Sequence, residues 1–184
     1  MDPESEKRLL EAAKNKPTAI APLYDYYFPR VHAFVCYRVP LLTDVEDIVA
    51  EIFLQVIKEL QRFEWRHNNS FAAWLFRIAH NRVADYYRRK QPQTIELDEI
   101  ISHQAAVPLP EESLLRQEIF GHLHHLLSTL SPRKQEIISL KFFGRLNNQE
   151  IARILGIDER TVASHLCRGL RELHQKYYLE LEVK

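Results

Sequence analysis

The first 120 residues contain no glycine, and all four glycines, Gly121, Gly144, Gly156 and Gly169, lie in the second half. A long stretch without glycine-dependent turns reads as helix-rich, because tight turns of β architectures draw on the conformations that glycine supplies most readily. The periodicity agrees. In TDVEDIVAEIFLQVIKELQ, Val45, Ile48, Val49, Ile52, Phe53, Val56, Ile57 and Leu60 recur at spacings of three and four, which is the stripe of an amphipathic helix. Thr43 followed by Glu46 predicts a capping box at its start. Upstream, residues 18–39 read as a helix burying Leu23, Tyr27, Val31, Phe34 and Val35. Downstream, SFAAWLFRIAHNRVADYYRRK resumes the helical period through Phe71, Trp74, Leu75, Ile78, Ala79, Val83 and Tyr86. The fold expected is all-α.

The 184 residues can bury one core or two small ones. The segment 91–111 carries Pro92, Pro108 and Pro110 with Glu96, Asp98 and Glu99 and no sustained period, so it reads as a flexible acidic linker. The expected organisation is therefore a helical domain over 1–92, a linker over 93–111 and a second helical domain over 112–184. In the latter, residues 112–129 read as a helix, Ser131 and Pro132 open another, and Gly144 is expected to end it.

Formal charge sums to zero, yet the segments 1–60, 61–92, 93–120 and 121–184 balance at −3, +5, −5 and +3. Two basic blocks around an acidic one suit a protein that touches a polyanion at two separated places. Arg77, Arg82, Arg88, Arg89 and Lys90 face one acid, Asp85, along the third helix, with the last three residues at its C-terminus, where cations favour the dipole. No hydrophobic run approaches the roughly 18 residues of a membrane span, and no signal peptide precedes residue 10. Cys36 and Cys167 do not form a disulfide framework. A cytoplasmic, reduced protein without membrane insertion is expected. His122 with His125, and His32 with Cys36, have one-face spacing but lack third and fourth ligands, so no metal and no cofactor is expected. The absence of a phosphate-cradling glycine loop and of a nucleophile motif argues against an enzyme.

NNQEIARILGIDERTVASHLCRGLREL has the spacing of a helix-turn-helix. Ile151, Leu155, Ile157 and Val162 are placed to pack its two helices, Ala152 is small where they approach, and Gly156 permits the turn. Asn147 with Glu150 reads as a capping box, and Asp158 as the N-cap of the second helix. On that helix Glu159, Arg160, Ala163, Ser164, Cys167, Arg168 and Arg171 lie away from Val162 and Leu166 and are the DNA-facing candidates, since arginine can bridge guanine or hold phosphate while serine and glutamate contact base edges. His165 reads either as a contact or as packing at the rim.

This stretch resembles both region 4 of sigma factors and the DNA-binding domain of LuxR-type response regulators. What separates them is the upstream half, because DVEDIVAEIFLQVIKEL followed by SFAAWLFRIAHNRVADYYRRK resembles region 2 of the sigma-70 family, particularly its extracytoplasmic-function (ECF) group. The resemblance covers roughly residues 20–91 and 112–177. It implies a factor that binds core RNA polymerase and directs promoter-specific initiation by recognising minus-35 and minus-10 elements and opening the strands. The alternative is a stand-alone LuxR-type regulator.

The resemblance also distributes the roles. Asp44, Asp47, Glu51 and Gln55 would dock on the clamp helices of the polymerase β′ subunit, and the second domain on the β flap. Trp65, Arg66, His67, Asn68, Asn69, Arg77, His80, Asn81 and Arg88 would bind the minus-10 element, where unpaired bases need aromatic or amide groups and the backbone needs cations. Glu159, Arg160, Thr161, Ser164, His165, Arg168 and Arg171 would read minus-35 DNA. Ala163 departs from the basic residue that many members carry. The linker resembles the family segment that passes through the polymerase cleft. An anti-sigma factor is a common partner in this group, though no residue here demonstrates one. Promoter elements about two helical turns, or roughly 70 Å, apart can just be bridged by a 19-residue linker of at most roughly 68 Å together with the width of the domains.

Overall fold

The computed structural model describes residues 1–90 and 113–182, the side chains of 113–120 and 180–182 excepted. The expected linker over 93–111 lies outside the described residues. The described chain is all-α: α1 (Pro3–Asn15), α2 (Ala21–Cys36), α3 (Leu42–Glu59), α4 (Ser70–Lys90), α5 (Ser113–Ser128), α6 (Pro132–Phe142), α7 (Asn148–Leu155) and α8 (Glu159–Glu182), with 3-10 turns at Pro17–Ile20 and Leu60–Arg62.

Helices α2, α3 and α4 pack as a bundle on the stripes expected of them. Leu23, Tyr27, Val31, Phe34 and Val35 of α2 are all buried, as are Val45, Ile48, Val49, Ile52, Phe53 and Val56 of α3. On α4, Phe71, Leu75, Ile78, Ala79 and Val83 are buried together with Ala72 and Phe76. At the centre the Phe34 and Phe76 rings meet edge to face at 5.5 Å, the offset geometry that the ring quadrupoles favour. Ile57 departs from expectation. It is 47% exposed, because the stripe turns with the helix and Val56 and Leu60 take the buried seats in its last turns.

The start of α3 also differs. The helix begins at Leu42 with Leu41 at the N-cap and no side-chain cap, so Thr43 already lies inside the first turn and its pairing with Glu46 does not form. The residues read as one helix over 18–39 divide at Ala21 into the 3-10 turn and α2. Helix α1 has no counterpart in the sequence reading. Asp2 accepts a hydrogen bond from the Ser5 backbone N–H at 3.0 Å, and Pro3 occupies the first helical position, a favourable start. Its buried face is only Leu10, Ala13 and Glu6. The Glu6 carboxylate is stabilised there by the Tyr27 hydroxyl, which donates to it.

In the second half, Ser131 is the N-cap of α6, followed by Pro132, but its side chain forms no capping bond. Helix α6 ends at Phe142, before Gly144. Gly144 matters for space rather than for a left-handed turn: a Cβ there would lie 2.5 Å from the Leu140 carbonyl oxygen. The left-handed residue of this corner is Arg145, at φ 51.

The apolar interior is continuous. Ile137, Leu140, Leu146, Ile151, Ala152 and Val162 belong to the same cluster as the α1–α4 core, and a smaller cluster of Leu127, Leu130 and Ile138 lies under Leu166 and Leu173. The two halves are thus packed on one another.

Candidate nucleic-acid interface

The helix-turn-helix forms as its local chemistry dictates. Asn147 Oδ1 accepts from the Glu150 N–H and Glu150 Oε2 accepts from the Asn147 N–H, both at 2.8 Å, so two otherwise orphaned donors at the start of α7 are satisfied. At its end Gly156 adopts φ 63, ψ 36, and the Ile157 N–H reaches back to the Ala152 carbonyl at 3.1 Å, the Schellman arrangement that a left-handed residue allows. Asp158 Oδ1 accepts from the Arg160 N–H at 2.7 Å and opens α8.

Ile151 and Val162 seal the two helices with no exposed surface, while Leu155 and Ile157 are half-buried at the edge. Gly169 is buried where α8 crosses α6; a Cβ there would meet the Ile138 side chain at 2.8 Å, so its bareness sets how closely these helices approach. The opposite face of α8 is open. Glu159, Arg160, Thr161, Ala163, Cys167, Arg168 and Arg171 are exposed, and Ser164 and His165 are half-buried beside them. This row begins at the helix N-terminus and runs through three turns.

The second basic surface is the loop before α4 and that helix's outer side. Arg66, His67, Asn68, Arg77, Asn81 and Arg88 are exposed. Arg77, Asn81 and Arg88 share one face of α4, and Arg88 pairs with Asp85. The other three expected minus-10 residues are engaged within the chain. Trp65 leans half-buried on the core. Asn69, left-handed at φ 69, donates from Nδ2 to Glu150 Oε2 at 2.9 Å. His80 Nδ1 lies 3.1 Å from Glu136 Oε1, a polar contact that is not aligned as a hydrogen bond.

The acidic row on α3 is partly paired as well. Asp44 receives hydrogen bonds from Lys90 and the Tyr86 hydroxyl, each at 2.8 Å. Burial alone would raise its pKa, but these two partners hold it below the ordinary value. Glu51 lies 3.8 Å from Arg82, which also donates to Gln55 at 3.1 Å. Asp47 is exposed, and Leu54 and Ile57, both open to solvent, continue the surface beyond Glu51.

Glu136 was not anticipated as a functional residue. It is nearly buried, with its carboxylate 3.3 Å from Arg38, 3.1 Å from His80 and 2.8 Å from Arg133. Burial works against its charge, yet the contact with His80 and the Arg38 and Arg133 guanidinium groups prevail and hold its pKa at about 2. Arg30 was also missed. Its Nε and Nη2 donate to the Phe143 and Gly144 carbonyls at 2.8 and 2.7 Å.

A helical bundle packed on a helix-turn-helix, each with an open basic face, is the architecture of a helix-turn-helix protein with two exposed basic surfaces. Comparison with known proteins identifies both parts: residues 23–93 match sigma-70 region 2 and residues 121–173 match sigma-70 region 4. The chain belongs to the sigma-70 family, in its ECF group, and is a sigma factor that directs transcription initiation. The LuxR-type alternative is not favoured.

It is 29% identical over 90% of its length to ECF RNA polymerase sigma factor BldN of Streptomyces coelicolor, of which it spans 63%. It is 26% identical over 93% of its length to ECF RNA polymerase sigma factor SigW of Bacillus subtilis, spanning 95% of that protein. In fold it is similar to the sigma factor RpoE from Bartonella quintana, solved in complex with the anti-sigma factor NepR, at a TM-score of 0.67 and 23% identity over 85% of this chain and 94% of that one. Among the described residues no helix is long and apolar enough to cross a membrane.

Proposed function

We propose that this sigma factor grips promoter DNA at two points while anchored to core RNA polymerase. The exposed row of α8, led by Arg160 and Thr161 and continued by Ser164, Arg168 and Arg171, reads the minus-35 element in the major groove. The basic loop and outer side of α4, with Arg66, His67, Asn68, Arg77, Asn81 and Arg88, take the minus-10 strand as it opens. Asp47 and Glu51, extended by exposed Leu54 and Ile57, form a strip of acid and apolar surface suited to docking on the β′ clamp helices, and the second half meets the β flap. The polymerase performs the chemistry, and this chain, acting in the cytoplasm, contributes recognition rather than catalysis. An anti-sigma factor is its expected regulator.

The observation that carries this reading is the open face of α8 beginning at a capped helix-turn-helix corner, with a second basic surface on α4. Transcription in vitro with core enzyme over a pool of genomic fragments tests it. Initiation at a small set of related promoters is expected, and transcription no different from core enzyme alone would refute it. Arg168→Ala should weaken use of those promoters by about 1 to 3 kcal/mol if the guanidinium reads a base. Unchanged promoter utilisation would remove Arg168 from the interface.

A further inference from the structure

Helix α1 precedes the residues that match sigma-70 region 2, which begin at residue 23, and none of the contacts proposed above for DNA or polymerase falls on it. Its packing nevertheless follows the loop of residues 63–69 from one end to the other. At the near end the Lys14 ammonium donates to the Phe63 carbonyl, and the Gln61 amide donates to the Lys14 carbonyl. These are reciprocal ties between the last turn of α1 and the entrance of the loop. Along the middle, Lys7, Leu10 and Lys14 form one wall of a cleft of about 400 Å³ whose other wall is Phe63 and Trp65. At the far end Met1, Pro3 and Glu6 line a second cleft, of about 210 Å³, together with Asn68 and Asn69. Helix and loop therefore run side by side in opposite directions.

Helix α1 can hold the loop because it is itself fixed. Leu10 and Ala13 are buried, and Glu6 accepts from the Tyr27 hydroxyl. Tyr27 meets Phe71 edge to face at 5.2 Å, and Phe71 meets Phe63 at 5.5 Å, so the anchor of α1 and the first residue of the loop rest on one aromatic stack. The loop's own ties lie toward its end: the Ser70 N–H reaches the His67 carbonyl at 3.1 Å, and the Arg66 N–H is 3.5 Å from Ser70 Oγ. Its first residues are tied to α1. Direct binding of phosphate suits this helix less well, because Glu11 and Glu64 line the same cleft as Lys7 and Lys14 and offset their charge. What the arrangement supplies is restraint. A loop ordered before it meets a strand gives up less conformational freedom on binding.

We propose that α1 is a splint for the minus-10 loop, and that Lys14, through its bond to the Phe63 carbonyl, is a positioning residue that sets where Trp65, Arg66, His67 and Asn68 stand before DNA arrives. The positioning role rests on the assignment of that loop to the minus-10 strand; the splint, as a restraint on the loop, does not. Lys14 itself touches no DNA. Its loss therefore lowers affinity and discrimination at minus-10 and leaves the minus-35 contact and polymerase docking as they were.

Lys14→Met removes the donor and keeps the apolar stem, and Lys14→Arg restores a donor of similar reach. In the full chain carrying Trp74→Phe, Trp65 is the remaining tryptophan, so its fluorescence reports on the loop. Lys14→Met should raise acrylamide quenching of Trp65, and Lys14→Arg should return it to the parent value, with helical content by circular dichroism the same in all three. In holoenzyme assembled from core polymerase, Lys14→Met should lower open-complex formation on a selected promoter about two- to tenfold, the equivalent of ordering one rotamer-rich side chain. It should also narrow the difference between that promoter and one with a minus-10 base changed. Unchanged quenching in Lys14→Met would overturn the splint whatever the DNA result. Raised quenching with open-complex formation and minus-10 discrimination equal to wild type would overturn the positioning role. A wild-type holoenzyme indifferent to minus-10 base changes would refute the minus-10 assignment, and the positioning role with it, while the quenching comparison still decides the splint.

Discussion

Acidification should cost the folded protein stability through Glu136 in a way that one substitution removes. The carboxyl is held at about 2 against an ordinary 4.5, its burial outweighed by His80, Arg38 and Arg133. Because the folded value lies below the unfolded one, the stabilisation is present in full above the unfolded value and is lost as pH falls through the folded value. The full difference is worth about 3 kcal/mol. Of this, about 1 kcal/mol should be lost between pH 7 and pH 4 and about 2 kcal/mol by pH 3. Urea unfolding of wild type and Glu136→Gln across this range isolates the contribution, since the other carboxylates are common to both proteins. Wild-type stability should fall more steeply, and the gap between the two proteins should narrow by these amounts as pH drops. Parallel pH profiles would refute the argument and mean that the Arg38–His80–Arg133 setting does not hold a charged glutamate.

Gly156→Ala should destabilise the protein by about 1 to 2 kcal/mol through backbone strain alone, since no atom lies within 4 Å of a Cβ placed there; Gly156→Asn should cost less, and equal denaturation midpoints for all three proteins would argue against the left-handed turn. Asp47→Arg should impair assembly with core polymerase, read by co-elution on a sizing column, while leaving thermal unfolding unchanged, because Asp47 is exposed; normal assembly would count against the α3 docking strip. Asn147→Ala should cost about 1 kcal/mol by removing one arm of the capping box, and an unchanged urea midpoint would show the box to be redundant.

What the sequence made legible was whatever a helix encodes within its own length. The buried residues of α2 and most of those of α3 and α4 follow from period alone, and the α7 cap and Gly156 turn follow from residue type at fixed offsets. The failures have a common origin. Thr43 and Glu46 satisfy the local rule for a helix start, but Leu41 already stands at the N-cap and the pair falls two residues too late. Helix α1 was missed because Leu10 and Ala13 are too sparse a stripe, and its one buried acid depends on Tyr27 of another helix. Glu136 and Arg30 could not be found by pattern at all. Glu136 lies 98 positions from Arg38, and Arg30 lies 113 from Phe143, so nothing in either neighbourhood announces the other. Which candidate DNA residues are free and which are already engaged is likewise a property of the packed halves.

Helix α8 runs unbroken for 24 residues, a stiff rod about 36 Å long. Arg160 and Arg168 lie toward one end, and Tyr177, Tyr178 and Leu179 are exposed toward the other. A rod has no hinge in which to absorb a push. If α8 meets DNA as proposed, whatever engages the aromatic end turns the other end by the same angle, with Gly169 against α6 as the fulcrum, so an attachment far from the DNA would change how the groove is met without touching a base.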